Sequence, residues 1–87
     1  MILHSSKGFR KSYEKLAEKL QRHYRARIDL FVSDPFHPLL NNHQLQAEYA
    51  GCRSLNITGN YRAIFYYESY DTVRFIAIGT HSELFGS

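Results

Sequence analysis

The sequence predicts an α+β fold, two N-terminal helices packed on one face of a small twisted antiparallel sheet. Apolar residues recur at three- and four-residue spacing in the first third of the chain, and prolines then close that stretch at positions 35 and 38. Three runs rich in β-branched and aromatic residues follow, separated by turn-forming residues. Helices followed by a group of strands bury their apolar surfaces most economically as a helical layer on a sheet. At 87 residues, the chain suits a single domain spanning 1–87. Seven Tyr and six Phe supply the bulky apolar surface that disordered segments lack.

Met1 to His4 is a candidate first strand. Ser5 and Ser6 then precede Phe9, Tyr13, Leu16 and Leu20, with Tyr24, Ile28 and Phe31 continuing the series. At about 100° per residue, Lys7, Lys11, Lys15, Lys19 and Arg22 fall opposite Phe9, Leu16 and Leu20, so one face can pack while the other stays wet. Arg27 lands on the apolar face, which predicts a break between Leu16 and Tyr24 and hence two helices. Asp34-Pro35-Phe36-His37-Pro38 ends the helical region, because proline lacks an amide donor and biases its predecessor away from helix. An irregular connector is expected to about Gln46. Strands are expected at Arg53–Thr58, Tyr61–Tyr67 and Thr72–Ile78, joined as a meander through Gly59-Asn60 and Glu68-Ser69-Tyr70-Asp71.

The single cysteine, Cys52, cannot make an intramolecular disulfide, and no second cysteine completes a zinc-like spacing. A reducing, cytoplasmic home is expected. The opening apolar residues are too few for a signal-peptide core, and no run approaches the roughly 18 residues of a membrane span, so no membrane partner is expected. Charge is segregated: residues 7–27 carry eight Lys and Arg against Glu14 and Glu18, whereas residues 28–87 hold three cations and six carboxylates. That asymmetry suits a polyanionic partner on one side of the molecule.

Neither a phosphate-binding glycine loop nor a Ser or Cys nucleophile motif is present, nor a carboxylate-rich metal cluster, so no cofactor or metal is expected. Imidazole and guanidinium chemistry remains. His43 lies in the connector, Arg53 and Arg62 on neighbouring strands, and His81 just past the last strand, and a meander could gather them at one end of the sheet. Metal-free RNA cleavage requires a 2′-hydroxyl to lose a proton, a 5′-oxygen to gain one, and positive charge beside the phosphorus. An unperturbed imidazole titrates near pH 6.5 and can take or give a proton, so two histidines and a permanently charged arginine could fill these roles. Plainer readings stand beside this one. His37 and His43 would be turn residues, His81 would cap the chain end, and Arg53 or Arg62 would pair with Glu48, Glu68 or Glu83. The lysine face would be ordinary solvated helix, Tyr61, Tyr66 and Tyr67 half-buried sheet surface, and Cys52 an inert thiol.

Phe9-x-x-x-Tyr13-x-x-Leu16, Asp34-Pro35, His43-x-Leu45, Gly51-x-Arg53-Ser54, Gly59-Asn60-Tyr61-Arg62 and Gly79-Thr80-His81-Ser82-Glu83-Leu84-Phe85 together form a pattern that resembles the RelE-type toxins, most closely the YafQ-like branch. The resemblance spans essentially the whole chain and is most specific in the closing GTHSELF joined to GNYRAIFYY. It implies the toxin of a type II toxin-antitoxin pair, an mRNA endoribonuclease that works in the ribosomal A site without a metal. It also implies a cognate antitoxin as partner, and operator DNA reached through that antitoxin. Carried across by motif, His43, Arg62 and His81 match catalytic positions, with Arg62 on the phosphate. Phe85 matches the aromatic near the C-terminus, and Arg53, Tyr61, Lys11, Lys15 and Lys19 are candidate RNA contacts. The chain departs from the branch at Asn56 and Asn60, where a histidine and an aspartate are usual, and at Tyr61, where Trp is common. Asparagine cannot carry a proton at neutral pH, so a rival reading keeps the scaffold without cleavage, as an antitoxin-bound co-repressor or a DNA gyrase inhibitor. A general RNA-binding domain is a third.

Overall fold

A computed structural model describes residues 1–86. The chain begins with strand β1 (Ile2–Ser5), helix α1 (Lys7–Glu14) and helix α2 (Glu18–Ser33). Strands β2 (His43–Gln44), β3 (Arg53–Asn56), β4 (Tyr61–Ser69) and β5 (Thr72–Thr80) follow, and helix α3 (His81–Phe85) closes the fold. The strands form one sheet in the order β1-β5-β4-β3-β2. Strands β2 to β5 are antiparallel as predicted, but β1 joins β5 in parallel, Ile2 opposite Thr72 and Ser5 opposite Phe75, so the sheet is mixed. The crossover through two helices makes that direction natural, because it returns the chain to the sheet without a tight turn. Among the described residues, no helix is long and apolar enough to cross a membrane.

Ser6 caps α1, its hydroxyl accepting the Phe9 amide at 3.0 Å. The break between helices lies at residues 15–17, at the near edge of the predicted interval, and it needs neither Gly nor Pro. The Gln21 amide donates to the Tyr13 carbonyl at 2.9 Å and the Tyr13 hydroxyl donates to the Gln21 carbonyl at 3.2 Å, a reciprocal clasp that replaces continued helix bonding. Arg27 does not interrupt α2. Its guanidinium reaches the carbonyl of Leu39 at 2.7 Å, tying the connector to the helix and giving a half-buried cation its acceptors.

The core lies between the helices and one sheet face. Phe9 and Phe31 meet Leu55, Ala63, Phe65, Val73, Phe75 and Ile78, with Phe31 and Phe65 edge to face at 5.1 Å. Burial, with Tyr13 beside it, pushes the Tyr24 phenol well above its ordinary value. Strict alternation would send Phe75 and Ile78 to opposite faces. A register shift resolves this: Ile64 pairs with Ala77 but Phe65 with Phe75, leaving Ile76 as a bulge, and both residues reach the core. Glu68 accepts from Arg74 at 3.1 Å and sits 2.9 Å from His4, fastening β1 to the β4–β5 hairpin.

Candidate functional site

On β3 and β4, Leu55 and Ala63 face the helices, so their neighbours Ser54 and Arg62 face the other way. That second face carries a cleft of about 260 Å³ lined by Asn41, His43, Leu45, Ser54, Arg62, His81 and Phe85. Four of the residues singled out from the sequence, His43, Arg62, His81 and Phe85, therefore come together from β2, β4 and α3. Sheet pairing sets two of them: His43 lies opposite Ser54, and Arg62 lies between Asn56 and Gly79.

The connector is less irregular than predicted, because it contains β2. Asn41 adopts a left-handed conformation, φ 44°, which asparagine tolerates better than most residues. The turn aims its carbonyl at the His43 ring, 2.7 Å from Nδ1. A carbonyl can only accept, so Nδ1 carries the proton and Nε2 of the neutral ring is left with its lone pair.

His81 does not trail after the sheet but starts α3, a helix the sequence reading lacked. Thr80 and Glu83 form a capping box: the Glu83 carboxylate accepts the Thr80 amide at 2.7 Å, and the Thr80 hydroxyl accepts the Glu83 amide at 3.2 Å. These bonds hold the Glu83 carboxyl below its usual range, the Thr80 backbone amide first and its side chain second. The S/T-x-x-E signature in Thr80-His81-Ser82-Glu83 could have disclosed the helix. Gly79 makes room for it, since a Cβ there would stand 3.1 Å from the Glu83 carboxylate. The His81 amide donates to the Asn60 carbonyl at 3.0 Å, anchoring α3 to the β3–β4 turn. Asn60 thus positions the imidazole through its main chain. Phe85 packs on the His81 ring at 4.9 Å and meets Tyr49 edge to face at 5.7 Å.

Arg62 folds back over the turn that precedes it, donating to the carbonyls of Thr58 at 3.0 Å, Tyr61 at 3.1 Å and Gly59 at 3.2 Å. Among the described residues, neither Arg62 nor Arg53 makes a salt bridge, and Glu68 serves His4 and Arg74 instead. The pairing of these arginines with Glu48, Glu68 or Glu83 does not occur. Among the described residues, the cleft therefore holds one guanidinium without a carboxylate partner, two imidazoles and no carboxylate side chain.

The remaining candidates lie elsewhere. Arg53 is on the helix-facing side, its Nε donating to Asn42 at 2.7 Å and its guanidinium stacked over Phe36, beside a groove that also holds Cys52 and Tyr67. Tyr61 packs against the core and lines a different groove with Lys15, Glu83 and Leu84. Lys19 lies farther along α2 with Arg22 and His23, and Lys11 is exposed on α1. Period-two alternation explains the separation: adjacent Tyr61 and Arg62 must face opposite ways. Sequence reasoning missed Asn41, Leu45 and Ser54, because contribution to this cleft depends on strand pairing and not on local composition. Among the described residues, no three His, Cys, Asp or Glu side chains gather as a metal-binding group.

A family model described as the bacterial toxin of type II toxin-antitoxin system, YafQ, matches residues 2–86. No curated protein matches the chain. Among solved structures, the chain is similar to YafQ from E. coli strain BL21(DE3), with 25% identity, a TM-score of 0.79 and 97% of each chain covered. It also resembles in fold the YoeB/ParE toxin from Agrobacterium tumefaciens, at 20% identity and a TM-score of 0.77 over 93% of this chain and 99% of that one. The E. coli DinJ-YafQ toxin-antitoxin complex gives 24% identity and a TM-score of 0.75 over 97% of this chain and 96% of that one.

Proposed function

Since the chain belongs to the YafQ family of bacterial toxins of type II toxin-antitoxin systems, we propose that it is a ribosome-dependent mRNA endoribonuclease that arrests translation in the cytoplasm and is silenced by a cognate antitoxin. The observation that carries the reading is the cleft that joins two imidazoles to a guanidinium with no carboxylate partner among the described residues. These are the groups that phosphodiester transfer to a neighbouring hydroxyl requires when no metal assists.

The hydrogen-bonding of His43 supports a role as the base. With Nδ1–H held by the Asn41 carbonyl, Nε2 takes the proton of the 2′-hydroxyl. The freed 2′-oxygen bonds to phosphorus as the bond from phosphorus to the 5′-oxygen breaks, and His81, entering protonated, gives its proton to that leaving oxygen. A 2′,3′-cyclic phosphate and a free 5′-hydroxyl result. Arg62 supports the charge that builds on the non-bridging oxygens, trading its carbonyl partners for phosphate. Phe85 fixes the His81 ring and offers an aromatic edge to a nucleobase. The basic helical layer lies across the sheet from the cleft, so Lys11, Lys15 and Lys19 would meet ribosomal RNA while mRNA occupies the cleft. Operator DNA would be reached through the antitoxin.

A translation reaction with mapping of A-site cuts tests this. Wild type should cut within the A-site codon, and His81→Ala should cut about a hundredfold or more slowly. Equal cutting by both would remove His81 from the mechanism. Asn56 and Asn60 favour a second reading, a non-cleaving relative acting as co-repressor with the antitoxin or as a gyrase inhibitor. Induced expression separates these outcomes: early translation arrest supports the nuclease, a DNA-damage response supports gyrase inhibition, and unimpaired growth supports the co-repressor.

A further inference from the structure

Ser54 is 1% exposed, and its hydroxyl has no hydrogen-bond partner among the described residues although it lines the cleft. A buried hydroxyl left unpaired destabilises a fold, and a central strand position is better filled by Val or Thr. The cost makes sense if the partner arrives with the substrate. Ser54 stands opposite His43 across the β2–β3 pairing, and Arg62 lines the same cleft. Among the described residues no carboxylate neutralises the guanidinium, so the cleft favours an anion. A hydroxyl donates most strongly to an anionic oxygen.

We propose that Ser54 is a substrate-contacting residue whose hydroxyl donates to one non-bridging oxygen of the scissile phosphodiester, beside Arg62. The substrate rests on the nuclease reading above; the contact itself rests on the unpartnered Ser54 oxygen. The test compares wild type with Ser54→Ala on ribosome-bound mRNA bearing a normal scissile phosphate or either of its two phosphorothioate diastereomers. Ser54→Ala should cut the normal substrate about tenfold more slowly. On the one diastereomer whose sulfur replaces the accepted oxygen, wild type should already be slow and Ser54→Ala should add less than about a threefold loss, since sulfur accepts a hydrogen bond poorly. The thermal midpoint of Ser54→Ala should equal or exceed that of wild type, because no protein hydrogen bond is lost. Equal cutting of all three substrates by both proteins would overturn the contact, as would one uniform loss on all three. If wild type cuts none of them, the nuclease reading fails and the contact is judged by binding of RNA carrying a 2′-deoxy residue at the cleavage position. Weaker binding by Ser54→Ala then supports it, and equal binding overturns it.

Discussion

Each imidazole of the cleft is held by a main-chain group that its own side chain did not announce. The Asn41 carbonyl sets the His43 tautomer, and the Asn60 carbonyl holds the amide of His81. That His43, Arg62, His81 and Phe85 would share one cleft was legible in the sequence, because imidazole, guanidinium and the closing motif identify themselves. Arg53 and Tyr61 lie outside that cleft, because motif adjacency carries no information about which sheet face a residue occupies. Asn56 sits opposite Arg62 in the strand register, with its side-chain carbonyl oxygen buried and unpartnered. Replacing it by histidine would put a third titratable ring beside the guanidinium. On the proposed nuclease reading, Asn56→His should therefore raise the rate of A-site cutting, by about tenfold when the new ring shares in proton transfer. An unchanged or lower rate in single-turnover assays would show that His43 and His81 suffice without it.

Of the secondary elements, α3 matters most to the site and is the least self-sufficient. Five residues cannot nucleate a stable helix alone, so the capping box and the Phe85–Tyr49 contact hold it. Thr80→Val keeps the strand but removes the hydroxyl acceptor, at a cost of about 1 kcal/mol to the helix start. On the proposed nuclease reading the variant should cut more slowly, with a thermal midpoint lowered by at most about 4–8 °C, read by cleavage kinetics and by faster exchange of the Glu83 amide. The same element predicts a pH response. Because folding lowers the Glu83 carboxyl, its contribution is fully present above the ordinary value of 4.5 and is lost as pH falls through the lower folded value. Protection of the Thr80 amide, taken relative to intrinsic exchange, should fall only in that acid range, and a Glu83→Gln variant should lose the transition. Strands β3, β4 and β5 and both N-terminal helices were legible from composition and periodicity. Neither β2, two residues long, nor the bulge at Ile76 was, since both exist only through pairing with a neighbour.

At the scale of the molecule, the sheet divides two chemistries. Cations crowd the helical layer, and the cleft opens on the opposite face. The α+β class and the layering followed from the order of helical and strand patterns. The direction of β1 did not, because four residues, Ile2 to Ser5, pair equally well either way until the route of the helices decides. That parallel edge also dictates an order of assembly. The β4–β5 hairpin needs only near neighbours in the chain, whereas the first strand must wait for residues 72–75 and close a long loop to meet them. Refolding followed by pulsed hydrogen exchange should protect amides of β4 and β5 before those of Ile2–Ser5, and simultaneous protection would refute that sequence of events. The strand that carries Arg62 would then be in place while the opposite margin of the protein is still unfastened.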